Sequence, residues 1–373
     1  MASNRTLRCG VAGMTSDHVW AMGDGLVAQP VATIVAAAEP YRELREQAKT
    51  RWGATGLYDD AATMLEREQL DAILVCGDNA SKAEIAELAA RKGVHVYQDK
   101  PMAATLAQAE GILKAVEAAG ITYMCAYHSA FSPLYEQTRS LVRDGAIGKV
   151  YLARGVTGHG GPREFGCSDY FCEWLFDKRR NGGGTFIGEA CYLLDGFVDY
   201  LGPIGEVSAF TAQMGHRDYL PPDVEDNSVA IVRFASGALG VIDSKWGQVG
   251  PAPVRTSFHG SQGTLTSGNS GTELYSTASP KVPAEWQPID MADAPGHGPQ
   301  LPGLAGWRAQ SPPRGQTGSG GAEQRVFVEH VLAGKPIEGP AGPRVARDVQ
   351  AVIEAVYRSA ASGKAEKVSL LSS

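Results

Sequence analysis

The sequence predicts an α/β plus α+β chain. Its first part is a doubly wound parallel sheet, and its second an α+β domain on a largely antiparallel, open-faced sheet. Three observations predict this. Through residue 127, short uninterrupted apolar runs alternate with helical patterns, as in strands covered on both faces. From about residue 150, strand-like runs follow one another through turn residues such as Ser236-Gly237, the habit of an antiparallel sheet. A length of 373 residues is ample for two cores.

Leu7–Ala12 is an apolar strand ending at Gly13. A helix follows over Asp17–Ala28, with Ser16 or Asp17 as its N-cap. Val31–Ala38 is a strand stopped by Glu39-Pro40, and Tyr41–Arg51 is helical. Asp71–Cys76 is a strand running into Gly77-Asp78-Asn79. The Ala-rich helix Ser81–Lys92 closes at Gly93, a C-cap glycine. Then come the strand Gly93–Gln98, the helix Thr105–Ala119 and the strand Ile121–Ala126. These runs define a first domain, 1–127, and leave 128–373 as the second.

In the second domain a helix covers Pro133–Asp144. Strands are expected over Val150–Val156, Glu206–Met214, Ser228–Phe234, Leu239–Lys245, Val254–His259 and Gly263–Ser267. One helix, Ile187–Leu201, interrupts them after Gly182-Gly183-Gly184. Ala292–Gly321 reads as a long Gly/Pro-rich loop. Glu323–Ala333 and Arg344–Ser362 read as helices, and the last is expected to pack back on the first domain.

A formal net charge of −7 and the absence of a basic stripe argue against a nucleic-acid partner. No apolar run is long enough for a bilayer. The opening MASNRTLRCGVAG runs into a strand without a signal-like apolar region, so a cytoplasmic location is expected. Cys9, Cys76 and Cys125 fall in buried strands, where a thiol acts as a small apolar group. Cys167 and Cys172 lack a second ligand pair nearby, so no metal is expected.

The chemistry gathers at strand ends. In open α/β sheets ligands bind outside the carboxyl ends of the strands. There the sequence places Asp99-Lys100-Pro101, and Lys100 can polarise a substrate oxygen or meet a phosphate. The turn after the first strand reads GVAGMTSDH. Of the three glycines of a GxGxxG fingerprint only Gly13 is kept; Thr15 and His18 occupy the other two positions. A helix start still offers N–H groups to a phosphate, so Gly13, Met14 and Thr15 are candidate cofactor contacts. His18 is a fourth, toward pyrophosphate or nicotinamide, or else a solvent-facing helix start. Glu39 ends the second strand, where a carboxylate accepts ribose hydroxyls and repels a 2′-phosphate. That favours NAD and leaves NADP open, since Arg42 and Arg45 follow. Gly77, Asn79, Asp99 and Lys100 complete the candidate cofactor site.

With these pieces placed, the chain resembles the Gfo/Idh/MocA oxidoreductases over nearly its whole length. A TPNxxH-like turn is matched by GDNASKAE, keeping Asn79 and placing Lys82 at the His position. An EKP tripeptide is matched by Asp99-Lys100-Pro101. AYHSAFSPLYE, DGAIGKVY and FHGSQGTL also look like family segments. The pattern GGGxxxDxGxHxxD is met by GGGTFIGEACYLLD, with Gly188 for the first Asp, Tyr192 for the His and Asp195 for the last Asp.

The resemblance implies a Rossmann domain and NAD(P)-dependent hydride transfer to or from a secondary alcohol of a sugar, cyclitol or sugar derivative. It implies Lys100 and Tyr192 as catalytic residues, with Glu189 or Asp195 making up for the lost Asp. His128, Lys178 and Asp195 are the candidate substrate contacts, with Asp177 and Arg179 behind them. A homodimer or homotetramer is also implied. Two other readings stay open: a non-catalytic NAD-binding sensor, and a glycosidase that oxidises its sugar transiently. An aromatic diol or a hemiacetal remains an alternative substrate.

Overall fold

The apolar runs of the first part pair into a six-stranded sheet. Its strands are β1 (Leu7–Ala12), β2 (Ala32–Ala38), β3 (Gly56–Tyr58), β4 (Ala72–Val75), β5 (His95–Asp99) and β6 (Tyr123–Ala126). The order is β3-β2-β1-β4-β5-β6, every pair parallel. This computed structural model describes residues 6–215, 217–249, 255–268, 271–277, 285–289 and 321–371. The expected loop, but for Gly321, and Val254 lie outside the described residues.

Two compact units emerge. One comprises the described residues of Met1–Tyr127, Gly166–Gly182 and Ser319–Gln350; the other, those of His128–Phe165, Gly183–Gly318 and Ala351–Ser373. The first segment ends at Tyr127, where the sequence analysis set its boundary. The two later segments, assigned there to the second domain, group with the first unit. The long helix Pro343–Ser362 has its first turns in one unit and its last in the other.

In the first unit the central strands are buried on both faces: Cys9, Val11, Ile73, Leu74, Val75 and Val96 are at most 1% exposed. That is why they carry no polar alternation. Their helices stop and start on local chemistry. Thr105 and Gln108 form a capping box at the start of Leu106–Ala119, and Gly120 closes that helix in the left-handed region. The expected N-caps of the first helix, His18–Val27, have other duties. Ser16 Oγ donates to Asp99, and the Asp17 carboxylate accepts the Ser168 N–H. The strand β3 and the helix Ala61–Arg67 were not foreseen. They have three and seven residues, too few for a periodic pattern.

The second unit is built on a nine-stranded sheet. Its strands are β7 (Val150–Gly158), β8 (Ile204–Ala212), β9 (Asn227–Phe234), β10 (Leu239–Lys245), β11 (Arg255–Gly260), β12 (Gly263–Gly268), β13 (Gly271–Ser276), β14 (Gln287–Ile289) and β15 (Glu366–Lys367). The order is β14-β13-β12-β11-β7-β10-β9-β8-β15. All neighbours are antiparallel except β7 and β10. One face carries the helices Pro133–Arg143 and Cys191–Leu201. Phe197 packs there against Phe234 and Phe258, and Tyr200 against Tyr135.

Candidate functional site

Because the first sheet is parallel, the carboxyl ends of β1, β4 and β5 share one edge. Gly13 and Gly77 follow β1 and β4 there, with φ of 72° and 94°. Both are in the region that favours glycine. A Cβ on Gly13 would stand 2.1 Å from the Cys76 carbonyl oxygen. The first glycine of the motif thus lets the β1 and β4 turns touch.

From these turns a cavity of about 380 Å³ opens, lined by Gly13, Glu39, Pro40, Tyr41, Ile85 and Arg180 among others. Glu39 is buried at its floor. Its carboxylate accepts the Met14 N–H at 2.5 Å and the Tyr41 N–H at 3.2 Å. Burial pushes this carboxyl up from its ordinary value, against the pull of those N–H groups and Arg45. A carboxylate has about four acceptor sites, so two serve the chain and others remain for ribose hydroxyls. Arg45 is committed elsewhere: its guanidinium pairs with Asp59 at 2.7 Å and caps the Glu39 and Pro40 carbonyls. It is poorly placed to welcome a 2′-phosphate. A glycine turn, a carboxylate after β2 and apolar walls form a donor and acceptor set that fits the adenosine half of NAD.

His18, in place of the third glycine, turns its ring onto Asp99, with Nδ1 at 3.0 Å from the carboxylate. Ser16 Oγ donates to the same group at 2.9 Å. Asp99 is therefore a buried brace between the glycine turn and β5, 1% exposed, and its expected contact with cofactor is not supported. Burial alone would raise its pKa. The His18 ring, Lys82 and Lys100 outweigh that and hold it well below the usual carboxylate range. Asn79 is also internal, its amide on the Asn181 carbonyl and side chain. Lys100 follows Asp99 at the sheet edge and is 8% exposed.

Sequence reasoning missed the cover on this edge, the segment Gly166–Gly182. Ser168 is anchored to Asp17, Phe171 meets the His18 ring edge-on at 5.3 Å, and Trp174 Nε1 donates to the Thr15 carbonyl at 3.4 Å. Arg180 pairs with Asp78 and Glu173. Lys178 stands exposed in the same segment. Aromatic residues spaced three apart at 171 and 174 were the available signal.

In the second unit, the glycine run is explained by contact. A Cβ on Gly183 would stand 2.1 Å from the Tyr357 hydroxyl, and one on Gly184 2.0 Å from the Glu225 carbonyl oxygen. The buried Glu225 carboxylate accepts the Gly184 and Phe186 N–H groups and the Tyr357 hydroxyl. A π-helical turn, Phe186–Ala190, then leads into Cys191–Leu201. At Gly188 a Cβ would lie 3.0 Å from the Trp246 indole, so the ring takes the space beside it.

The neighbouring Glu189 supplies a carboxylate instead. Its Oε1 lies 3.2 Å from both His159 Nε2 and Trp246 Nε1. His159 Nδ1 accepts the Gly161 N–H, so in the neutral ring Nε2 holds the proton and donates it to Glu189. Tyr192, half-buried, begins the next turn. His159 and Trp246 were not foreseen; each follows a strand end, after β7 and β10. Asp195 is wholly buried, 3.5 Å from the Tyr135 hydroxyl, and burial pushes its pKa well up. It links two helices, so the expected substrate contact at Asp195 is not supported. His128 is buried in the short turn His128–Phe131.

Residues 5–127 match the model of an oxidoreductase family with an NAD-binding Rossmann fold, and residues 135–266 match the Gfo/Idh/MocA C-terminal domain. This chain belongs to the Gfo/Idh/MocA oxidoreductases. Its membership makes it an NAD-binding oxidoreductase, with which the cavity and the glycine turn agree.

Within the family, the chain is 27% identical over 267 residues to levoglucosan dehydrogenase of Pseudarthrobacter phenanthrenivorans, a stretch spanning 64% of this chain and 65% of that one. It is 24% identical over 239 residues to myo-inositol 2-dehydrogenase of Thermotoga maritima, covering 64% and 68%. Among solved structures, levoglucosan dehydrogenase in complex with NADH and levoglucosan shares the fold with a TM-score of 0.84 at 20% identity, over 98% of this chain and 100% of that one. An oxidoreductase domain protein from Kribbella flavida matches at 0.81 and 25% identity, over 98% and 100%. Among the described residues no helix is long and apolar enough to cross a membrane.

Proposed function

We propose that this Gfo/Idh/MocA oxidoreductase oxidises a secondary alcohol of a sugar, cyclitol or sugar derivative, reversibly and with NAD⁺. The observation that carries the reading is Lys100. An ammonium stands at the same sheet edge as the Gly13 and Gly77 turns, where a dinucleotide's reactive half would lie. The relatives, a levoglucosan and an inositol dehydrogenase, support the substrate class.

When bound, NAD⁺ would supply the hydride acceptor for oxidation of the carbinol to a carbonyl, which leaves one proton for the chain's own residues to remove. Lys100 donates a hydrogen bond to the reacting oxygen and stabilises its developing negative charge. Tyr192 takes the hydroxyl proton. A phenol with an ordinary pKa of about 10 is a poor base at neutral pH, and a cation brought near a phenol lowers that value. Glu189, held by His159 and Trp246, is a ready acceptor for a neighbouring substrate hydroxyl. His128 and Lys178 complete the proposed substrate contacts. Gly13, Met14, Thr15, Glu39 and Gly77 are proposed to hold the cofactor.

The test is nicotinamide absorbance with levoglucosan, myo-inositol and D-glucosides, with NAD⁺ and NADP⁺ side by side. NAD⁺ is expected to be preferred, because Glu39 repels a 2′-phosphate. Lys100→Ala and Tyr192→Phe should each lower kcat by about 10²-fold or more. Near-normal turnover in Lys100→Ala overturns the mechanism. Stoichiometric NAD binding with no turnover on any substrate would favour a sensor. Turnover without added NAD⁺ would favour the transient oxidation.

A further inference from the structure

We propose that Lys82 is a positioning residue for Lys100, a buried second cation that clamps the turn from which Lys100 projects. This deepens the function proposed above and rests on its assignment of Lys100.

Lys82 is fully buried. Its Nζ donates to the carbonyls of Asp99, Lys100 and Pro101, at 2.8, 3.1 and 2.9 Å. An ammonium has three N–H donors, and all three go to consecutive peptide units of one turn. The lysine is itself held at its root. It lies in the first turn of Ser81–Arg91, whose start is fixed by Asp78: the Ser81 N–H donates to its carboxylate at 2.8 Å, and the Lys82 N–H to its carbonyl at 3.2 Å. The side chain thus ties the loop after β4 to the turn after β5. Otherwise the buried face of this helix is alanine: Ala83, Ala86, Ala89 and Ala90.

A buried cation is costly unless its partners need it. Here the need is visible. Three carbonyl oxygens converge on one interior point, and without a donor they would repel one another and lack partners. An apolar side chain could fill the volume but could not hold that curl. Burial pulls the Lys82 pKa below its ordinary value, Asp99, Cys125 and Cys76 pull it up and Lys100 pulls it down, while three acceptors call for all three N–H donors of the charged form. Asp99 supplies the countercharge, and Lys100 is the like charge. A fixed cation behind a reactive one favours loss of a proton from that neighbour. It also adds to the positive field in which the substrate oxygen ionises.

Lys82→Met and Lys82→Gln separate geometry from charge. Both lack the cation, but Gln keeps two N–H donors. With levoglucosan as the probe, Lys82→Met is expected to lose about tenfold or more in kcat with its affinity for NAD⁺ unchanged. The acid limb of its rate profile should move to higher pH, because a cation near the ionising oxygen is gone. Lys82→Gln should recover part of kcat and none of the pH displacement. A readout free of turnover accompanies these: acetic anhydride labelling across pH, read at Lys100 by mass spectrometry. Its midpoint should rise in both variants.

An unchanged Lys100 midpoint, or wild-type kcat and pH profile in either variant, overturns the proposal. If Lys82→Met does not fold, Lys82→Gln decides. Lys100→Ala measured in parallel tells the two failures apart. A silent Lys100→Ala beside a wild-type-like Lys82→Met sinks only the role of Lys82, whereas an active Lys100→Ala sinks the assignment of Lys100.

Discussion

Asp99 shows how one residue can be read correctly in place and wrongly in role. The sequence put a carboxylate beside Lys100, and analogy made it a cofactor contact. The structure gives it Ser16 and His18 as partners, a buried position and the electrostatic pull of Lys82 and Lys100. Removing that charge while keeping the shape, as in Asp99→Asn, should cost about 3 kcal/mol at neutral pH, the usual penalty for breaking a buried charge network. The pH dependence has a definite sign. Asp99's folded pKa is depressed, so its contribution is complete above the ordinary Asp value of about 3.9. It is lost as pH falls below that value toward the lower folded one. Urea unfolding of wild type and Asp99→Asn should therefore differ most near neutrality and converge below about pH 4. A gap independent of pH would show that the Asp99 charge contributes nothing. Other residues were legible because one chemical property located them: Gly13 by its freedom at positive φ, Glu39 by its charge at a strand end. Asp195 was misread because spacing along a helix does not tell which face is buried.

At the scale of elements, the unit that makes the site is strand, glycine turn and helix. Gly13→Ala tests it. An alanine would be forced into φ of 72° with its Cβ against the Cys76 carbonyl oxygen, a backbone atom that cannot swing aside. The expected cost is about 2 kcal/mol or more, with NAD⁺ affinity falling in the same variant. Thermal melting and coenzyme titration check both, and an unshifted melt with intact binding would mean that the β1 and β4 turns need not touch. The parallel strands were legible because burial on both faces writes itself as continuous apolar sequence. The segment Gly166–Gly182 was not. Its helices, Asp169–Leu175 and Lys178–Asn181, are too short for periodicity. What fixes them is long-range: the Trp174 indole on the Thr15 carbonyl, and Arg180 on Asp78. The Gly182-Gly183-Gly184 run was visible as a motif, but its reason, the close approach of Tyr357 and Glu225, lies far along the chain.

Among the described residues, the second face of the nine-stranded sheet carries exposed apolar side chains. Along β8, β9 and β10 the residues alternate cleanly. Ala209, Ala230, Val232, Phe234 and Ile242 are at most 5% exposed. On the other face Phe210, Ile231, Val229 and Leu239 are 81, 53, 48 and 40% exposed. The register sets Phe210 opposite Val229, and Ile231 opposite Val241, so these side chains form a short apolar strip, flanked on the same face by the ion pairs Arg233–Glu206 and Lys245–Asp243. An exposed apolar strip rimmed by polar residues marks an interaction surface. The occupant we propose is a second copy of the chain, since contacts about a two-fold axis that pair one patch with itself are the commonest form of soluble oligomer. On that proposal a homodimer is the expected state, or a homotetramer if a second surface is used. Carboxylates placed on the strip, as in Phe210→Asp with Ile231→Asp, would face their own copies across that axis and repel. Light scattering on a sizing column should show wild type as an oligomer and the double variant as a folded monomer. A monomeric wild type would leave the strip without this partner. An oligomer indifferent to both substitutions would place the interface elsewhere.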